Sequence, residues 1–305
     1  MKNIGYYNGE YGLIEEVKIP MLDRGIYFGD GIYEATFSIG NKIFALDDHL
    51  DRLYSSASLL DINLPFTRTE IINILEELNS KVDSKVKFIY WQVTRGTAPR
   101  KHIYNKEIKG NLYITITPFA EVKDYEKKLK LITVEDTRFL HCNIKTLNLI
   151  PNVMASQKAD EAGCDEAVFH RGDIVTEASH SNVHIIKDGV FKTHPTDNYI
   201  LPGISRKHII EICKNNNIKV DETAFTVKEM MEADEVLVTS SSKLIVPACE
   251  IDGIKVGGKA PNIVKLLQDE YYKKVDLETS LWWDKEHKGF VTTIVGVIVD
   301  IRKVM

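Results

Sequence analysis

The stretch Asp23-Arg24-Gly25-Ile26-Tyr27-Phe28-Gly29-Asp30-Gly31-Ile32-Tyr33-Glu34 holds three glycines, three acids, one arginine and three aromatics in twelve residues. Neither a helix nor a strand period accounts for that mixture, and it is richer than a turn alone needs. A second dense run, Thr176-Glu177-Ala178-Ser179-His180-Ser181-Asn182, follows a short strand signal and a turn signal. Ahead of the second run stands Lys145, with no other lysine within a dozen residues on either side.

With 305 residues and 44% apolar composition, the chain has material for a sizeable core, divided over two domains. A net charge of -5 and a pI of about 6.0 exclude a broad nucleic-acid surface and leave room for a local basic pocket holding a small anion. Cys142, Cys164, Cys213 and Cys249 form no C-x-x-C pair, so they are expected as separate core thiols, and no metal is expected. Met1 to Tyr6 has no apolar signal-like run and no eighteen-residue apolar stretch occurs, so no membrane association is expected and the cytoplasm is the expected location.

Leu50, Leu53, Tyr54, Ala57 and Leu60 recur at helical spacing over Asp47 to Leu60, and Thr67-Arg68-Thr69-Glu70 is a capping box opening a second helix. Lys87 to Thr94 and Leu112 to Thr117 have strand composition. The charged, poorly patterned segment 121–128 is the expected linker between an α+β domain at 1–120 and a second mixed domain at 129–280. The second domain is expected to hold a helix from Asn152 to Ala162, turns at Arg171-Gly172-Asp173 and Lys187-Asp188-Gly189, and a helix from Ile204 to Lys214. A last helix is expected from Asn262 to about Lys274, and 281–305 reads as an extension of unknown role with a strand-like run from Phe290 to Val299.

Chemistry through pyridoxal phosphate needs a lysine amine for the cofactor's aldehyde, an acid beside the pyridine nitrogen, and a site for a phosphate dianion. Lys145, expected to follow a short extended stretch, and Glu177 could supply the first two. Singly, each has a plainer explanation as a strand-end lysine and a surface acid; their joint occurrence with the glycine-rich run carries the argument.

In order along residues 4 to 280, the chain resembles the fold-type IV aminotransferases, and among them most closely the bacterial D-amino-acid aminotransferases. The matching blocks are residues 23–34, His49-Leu50-Asp51-Arg52-Leu53, Arg95-Gly96-Thr97-Ala98-Pro99-Arg100-Lys101-His102, Lys145 with Leu147-Asn148-Leu149, Thr176-Glu177 with Ser181-Asn182, and Leu201-Pro202-Gly203-Ile204-Ser205-Arg206. The resemblance implies an α+β fold with a small α/β N-terminal domain and a larger pseudo-barrel C-terminal domain. It implies pyridoxal 5'-phosphate as cofactor, and transamination between D-alanine and α-ketoglutarate giving pyruvate and D-glutamate.

By position, the resemblance makes Lys145 the cofactor-binding and proton-carrying lysine and Glu177 the partner of the ring nitrogen. It points to Arg52, Ile204, Ser205 and Ser241 for the phosphate, and to Tyr33, Arg100 and His102 for the substrate carboxylate. In an extended segment Arg100 and His102 face one way and Lys101 the other. In the resembled enzymes this pair reaches across a homodimer interface into the neighbouring site. Pro151 and His180 depart from the family pattern, which has an aromatic and a small hydroxyl residue there. Three other readings stand beside this one: a branched-chain L-amino-acid aminotransferase, which would lack the Arg100-Lys101-His102 arrangement; an aminodeoxychorismate lyase; and a cofactor-binding regulatory protein without catalysis.

Overall fold

The computed structural model describes residues 1–120, 122–280, 282–284, 289–294 and 297–300. The first part is a six-stranded antiparallel sheet covered by helices. Its strands are β1 (Ile4–Tyr7), β2 (Glu10–Gly12), β3 (Gly31–Ile39), β4 (Lys42–Ile43), β5 (Val86–Thr94) and β6 (Asn111–Pro118), in the order β2-β1-β6-β5-β3-β4. Helix α1 (Arg24–Phe28) lies inside the glycine-rich run, followed by α2 (Leu46–Leu59) and α3 (Arg68–Lys81). The capping box at Thr67 and Glu70 is formed as expected. Leu50, Leu53 and Ala57 of α2 and Ile71, Leu75 and Leu78 of α3 join Ile89, Trp91, Ile114 and Ile116 of the sheet in one buried cluster.

The second part contains β7 (Leu129–Glu135), α4 (Ile150–Glu161), β8 (Glu166–Arg171), β9 (Ile174–Ala178), β10 (Asn182–Lys187) and β11 (Val190–Thr193). It continues through α5 (Ile204–Asn215), β12 (Val220–Asp221), α6 (Val227–Met231), β13 (Glu235–Ser240), β14 (Leu244–Ile251), β15 (Ile254–Lys255) and α7 (Pro261–Ser280). The strands form a mixed sheet in the order β12-β11-β10-β13-β14-β7-β8-β9, with β15 beside β14. β7 is parallel to both its neighbours. Only Ser179, His180 and Ser181 separate β9 from β10, yet these strands are five places apart in the sheet. Five spacings of a flat sheet come to about 24 Å. Four chain steps reach at most about 14 Å. The sheet therefore curls back on itself as a half-barrel, the form expected of the larger part.

A further cluster joins the two sheets: Phe37 and Phe44 from the first meet Ile204, Ile209, Leu237, Leu267 and Tyr271 from the second. The charged segment after β6 is strapped along α7. Val122 is buried in that same cluster, Lys123 pairs with Asp276, and the Tyr125 hydroxyl donates to Asp269 at 2.7 Å.

Three local readings need correction. Helix α4 starts at Ile150, two residues earlier than expected, because Pro151 fits its first turn, where a missing N–H costs nothing. α7 runs on to Ser280. Lys145 follows a turn and not an extended stretch. The run from Phe290 to Val299 contributes β17 (Gly289–Ile294) and β18 (Val297–Asp300), antiparallel to one another, with β16 (Trp282–Asp284) on the other side of β17; residues 295 and 296 lie outside the described residues.

Candidate active site

The three acids of the glycine-rich run each anchor a separate stretch of the first part, and only Glu34 holds a residue that lines the cavity. Asp23 caps α1 by accepting from the Gly25 N–H at 2.7 Å, and its other oxygen accepts from Thr94 Oγ1, Asn111 Nδ2 and Tyr113 OH. Asp30 accepts from Nε of both Arg24 and Arg95, at 2.8 and 2.9 Å. Glu34, fully buried on β3, accepts Arg52 Nε and Nη2 at 2.7 Å each and meets His49 Nδ1 at 2.7 Å. Burial alone would raise the Glu34 carboxyl, but Arg52 and His49 hold it down at about 2. The glycines permit close approach: a Cβ on Gly31 would stand 2.7 Å from Leu147 Cδ1 and 2.8 Å from Val93 O.

Lys145 is fixed through its backbone. Tyr33 N donates to Lys145 O at 3.0 Å, Leu147 N donates to Gly31 O at 3.0 Å, and Thr146 bridges Ile32. The loop is thereby laid against β3, with Lys145 Nζ 4.1 Å from the centroid of the Tyr33 ring.

Glu177 enters from the facing sheet, near the end of β9. Its Oε2 accepts from Asn182 Nδ2 and from the Leu201 N–H, both at 2.9 Å, and its Oε1 accepts from Arg138 Nη1. Arg138 is in turn gripped by Asp136 through Nε and Nη2, at 2.9 and 2.8 Å. Burial pushes the Glu177 carboxyl up to about 7 against the pull of Arg138 and the Leu201 N–H. Arg138 and Asp136 were not singled out from the sequence. They lie in an irregular loop after β7 with no periodic signal, and only the i, i+2 acid–base pair ahead of Lys145 hinted at them.

An anion cradle lies where the two sheets meet. Gly203 precedes α5, and the N–H groups of the first turn there lack intrahelical acceptors. The Ser205 hydroxyl is buried and has no partner. Arg52 spends one N–H on Pro202 O at 3.1 Å and two on Glu34, which leaves one on each terminal nitrogen. Ser241, in the turn after β13, lies 3.5 Å through its hydroxyl from His49 Nε2. An orphaned buried hydroxyl, a helix N-terminus and two free guanidinium N–H groups fit a phosphate dianion.

Tyr33, Arg52, Lys145, Glu177, Ile204, Ser205 and Ser241 all line one cavity of about 450 Å³. Arg138, Asn182 and His180 line it as well. Arg100 and His102 do not: they lie in an exposed bend on the first sheet, where both meet the ring of Phe28, at 5.3 Å each. Arg24 donates to the Lys101 carbonyl at 2.6 Å and fixes that bend. Among the described residues, no helix is long and apolar enough to cross a membrane.

Residues 31–251 match the family described as Amino-transferase class IV. The chain is 40% identical over 282 residues to the D-alanine aminotransferase of Staphylococcus haemolyticus, covering 90% of this chain and 99% of that protein. It is 37% identical over 276 residues to that of Bacillus licheniformis, covering 90% and 98%. Among solved structures it superposes on the branched-chain aminotransferase of Thermoproteus uzoniensis in complex with norvaline, with a TM-score of 0.82 at 25% identity over 90% of this chain and 95% of that one. The branched-chain amino acid aminotransferase of Escherichia coli gives 0.81 at 20%, over 93% and 97%. Another branched-chain amino acid aminotransferase that superposes on the chain, with a TM-score of 0.81 at 23% identity, was solved with pyridoxamine 5'-phosphate. This chain belongs to the class IV aminotransferases, a family of enzymes that use pyridoxal 5'-phosphate.

Proposed function

We propose that this enzyme is a D-amino-acid transaminase that moves the amino group of D-alanine to α-ketoglutarate, giving pyruvate and D-glutamate. The observation that carries the reading is the 40% identity to D-alanine aminotransferase over nearly the whole length of both chains. The likeness to branched-chain enzymes, at 25 and 20% identity, is one of fold.

The cofactor supplies an aldehyde for the substrate nitrogen and a ring that accepts electrons from the α-carbon. Lys145 Nζ would take the proton from the substrate α-carbon and deliver it to the carbon that was the cofactor's aldehyde, so that the amino nitrogen stays there; its place in the cavity beside Tyr33 supports that role. Glu177 holds the ring nitrogen in its protonated form, supported by a buried carboxylate that Arg138, Asn182 and Leu201 keep in one orientation. Arg52, Ser241 and the start of α5 at Ile204 and Ser205 hold the phosphate, and Tyr33 faces the substrate.

Arg100 and His102 bind the substrate carboxylate in the cavity of a second copy, in a homodimer. Their exposure, their shared packing on Phe28 and their absence from the cavity of their own chain support this. The two sheets form two domains, 1–120 and 129–280, joined by 121–128. The enzyme works in the cytoplasm, consistent with four unpaired thiols.

The test is pyruvate formation from D-alanine and α-ketoglutarate by the purified protein and by Lys145→Ala. The wild type should form pyruvate and the variant should not; pyruvate at the wild-type rate in Lys145→Ala contradicts the role of this amine.

A further inference from the structure

Two adjacent residues in the first turn of α2 reach the two halves of the phosphate cradle. His49 meets Glu34, which holds Arg52, so this arm is built on the first sheet and its helices and touches the second part only at Pro202 O and Ser241, within the cradle itself. Asp48 instead crosses to the second part: its Oδ2 accepts from His208 Nε2 at 2.8 Å, and its Oδ1 accepts from Lys207 Nζ at 2.6 Å. His208 Nδ1 is 3.3 Å from the hydroxyl of Tyr271 on α7. His208 and Tyr271 are buried, so bulk water does not compete for these bonds.

The chemistry of this chain of groups sets the direction of each proton. Burial holds His208 below the usual imidazole range, and Lys207 and His208 hold Asp48 low in spite of its partial burial. A neutral imidazole that donates from Nε2 to a carboxylate must accept at Nδ1, so Tyr271 donates its O–H to His208. With its O–H committed to His208, the Tyr271 oxygen has no proton to offer the neighbouring Ser205 hydroxyl. The buried Ser205 hydroxyl completes no hydrogen bond, so its proton can turn to an anion in the cradle.

We propose that Asp48, His208 and Tyr271 are positioning residues for the phosphate site, fixing α5 and the Ser205 hydroxyl relative to Arg52 across the junction of the two sheets. The apolar contacts at that junction, among Phe37, Phe44, Ile204 and Tyr271, are without direction and tolerate small slides. A phosphate held from two sides needs donors placed to within a fraction of an ångström, which directional bonds from α2 to α5 supply. None of the three residues lines the cavity, so their effect reaches the anion only through α5. The proposal rests on the family's cofactor and not on the D-amino-acid reading.

The experiment is an equilibrium titration of cofactor-stripped, full-length protein with pyridoxal phosphate and, separately, with pyridoxal, followed by the visible band of the bound cofactor. No amino acid is present, so the outcome is independent of substrate choice. Asp48→Asn and Tyr271→Phe keep side-chain size, and thermal unfolding checks that each is folded. Each variant should bind pyridoxal phosphate about tenfold more weakly, on the scale of a lost charge-assisted hydrogen bond, and pyridoxal as the wild type does. Unchanged pyridoxal phosphate affinity in both variants overturns the proposal, and so does an equal loss for pyridoxal, which would signal general damage to the cavity. Competition by inorganic phosphate against pyridoxal phosphate should weaken in parallel; undiminished competition counts against a phosphate-specific role.

Discussion

Gly203 and Asn182 stand so close that a Cβ on the glycine would lie 1.9 Å from Asn182 Oδ1. Asn182 Nδ2 donates both to Glu177 Oε2 and to Leu201 O, so this one contact ties the acid on β9 to the chain that leads into α5. The ring-nitrogen end and the phosphate end of the site are thus locked to one another through a residue without a side chain.

Gly203→Ala should consequently push Asn182 off Glu177. Overpacking of this kind costs roughly 1–3 kcal/mol. Chemical unfolding of wild type and variant reads that loss, and cofactor affinity should fall with it; an Ala variant of wild-type stability and affinity would contradict the contact.

Glu177→Gln keeps the shape of the side chain and leaves Arg138 still paired with Asp136. Folding should survive, with the thermal midpoint shifted by a few degrees at most, while turnover falls by about a hundredfold or more, the scale seen when a preorganised charge is removed from a site. Equal losses in stability and turnover would make Glu177 a structural residue.

Stability should fall in acid for a reason that can be assigned. Glu34 and Glu166 are buried; burial alone would raise both, but Arg52 and His49 hold the first at about 2, and His180 and Lys243 the second at about 2. In the unfolded chain a glutamate titrates near 4.3, so below about pH 5 the unfolded state takes up protons that the native state refuses. Each residue contributes roughly 3 kcal/mol that is fully present above about pH 5 and is lost progressively as pH falls toward 2. Urea unfolding at pH 7, 5 and 3 should show the loss, and Glu166→Gln should flatten the profile; an unaltered profile would contradict this assignment.

Arg100→Ala should raise the Michaelis constant for D-alanine at least tenfold while leaving cofactor bound, because one charge-assisted contact to the substrate carboxylate is removed. Unchanged D-alanine kinetics would remove Arg100 from the substrate site.

The sequence was legible wherever a local rule operates. Thr67 and Glu70 announced α3, the helix expected from Ile204 begins there as α5, and the residues expected to hold cofactor, together with Tyr33, converge on one cavity. What escaped depends on distance along the chain. Arg138 matters because β7 and β9 bring it to Glu177, 39 residues away, and nothing periodic surrounds it. The stretch before Lys145, expected to be extended, is a turn closed by Ile144 N on His141 O and anchored by Cys142 N on Asn198 O, a partner far along the chain that no local rule points to. The linker looked merely charged because Tyr272, Asp269 and Asp276, which bind it, lie some 150 residues on.

The most direct test of the central claim is the visible spectrum of the purified enzyme with bound cofactor, recorded as D-alanine and then, in separate samples, L-alanine or L-leucine is added. The account predicts that D-alanine alone converts the bound-cofactor band to the amino form and that α-ketoglutarate restores it. Conversion by L-leucine and not by D-alanine would contradict it and make the enzyme a branched-chain transaminase.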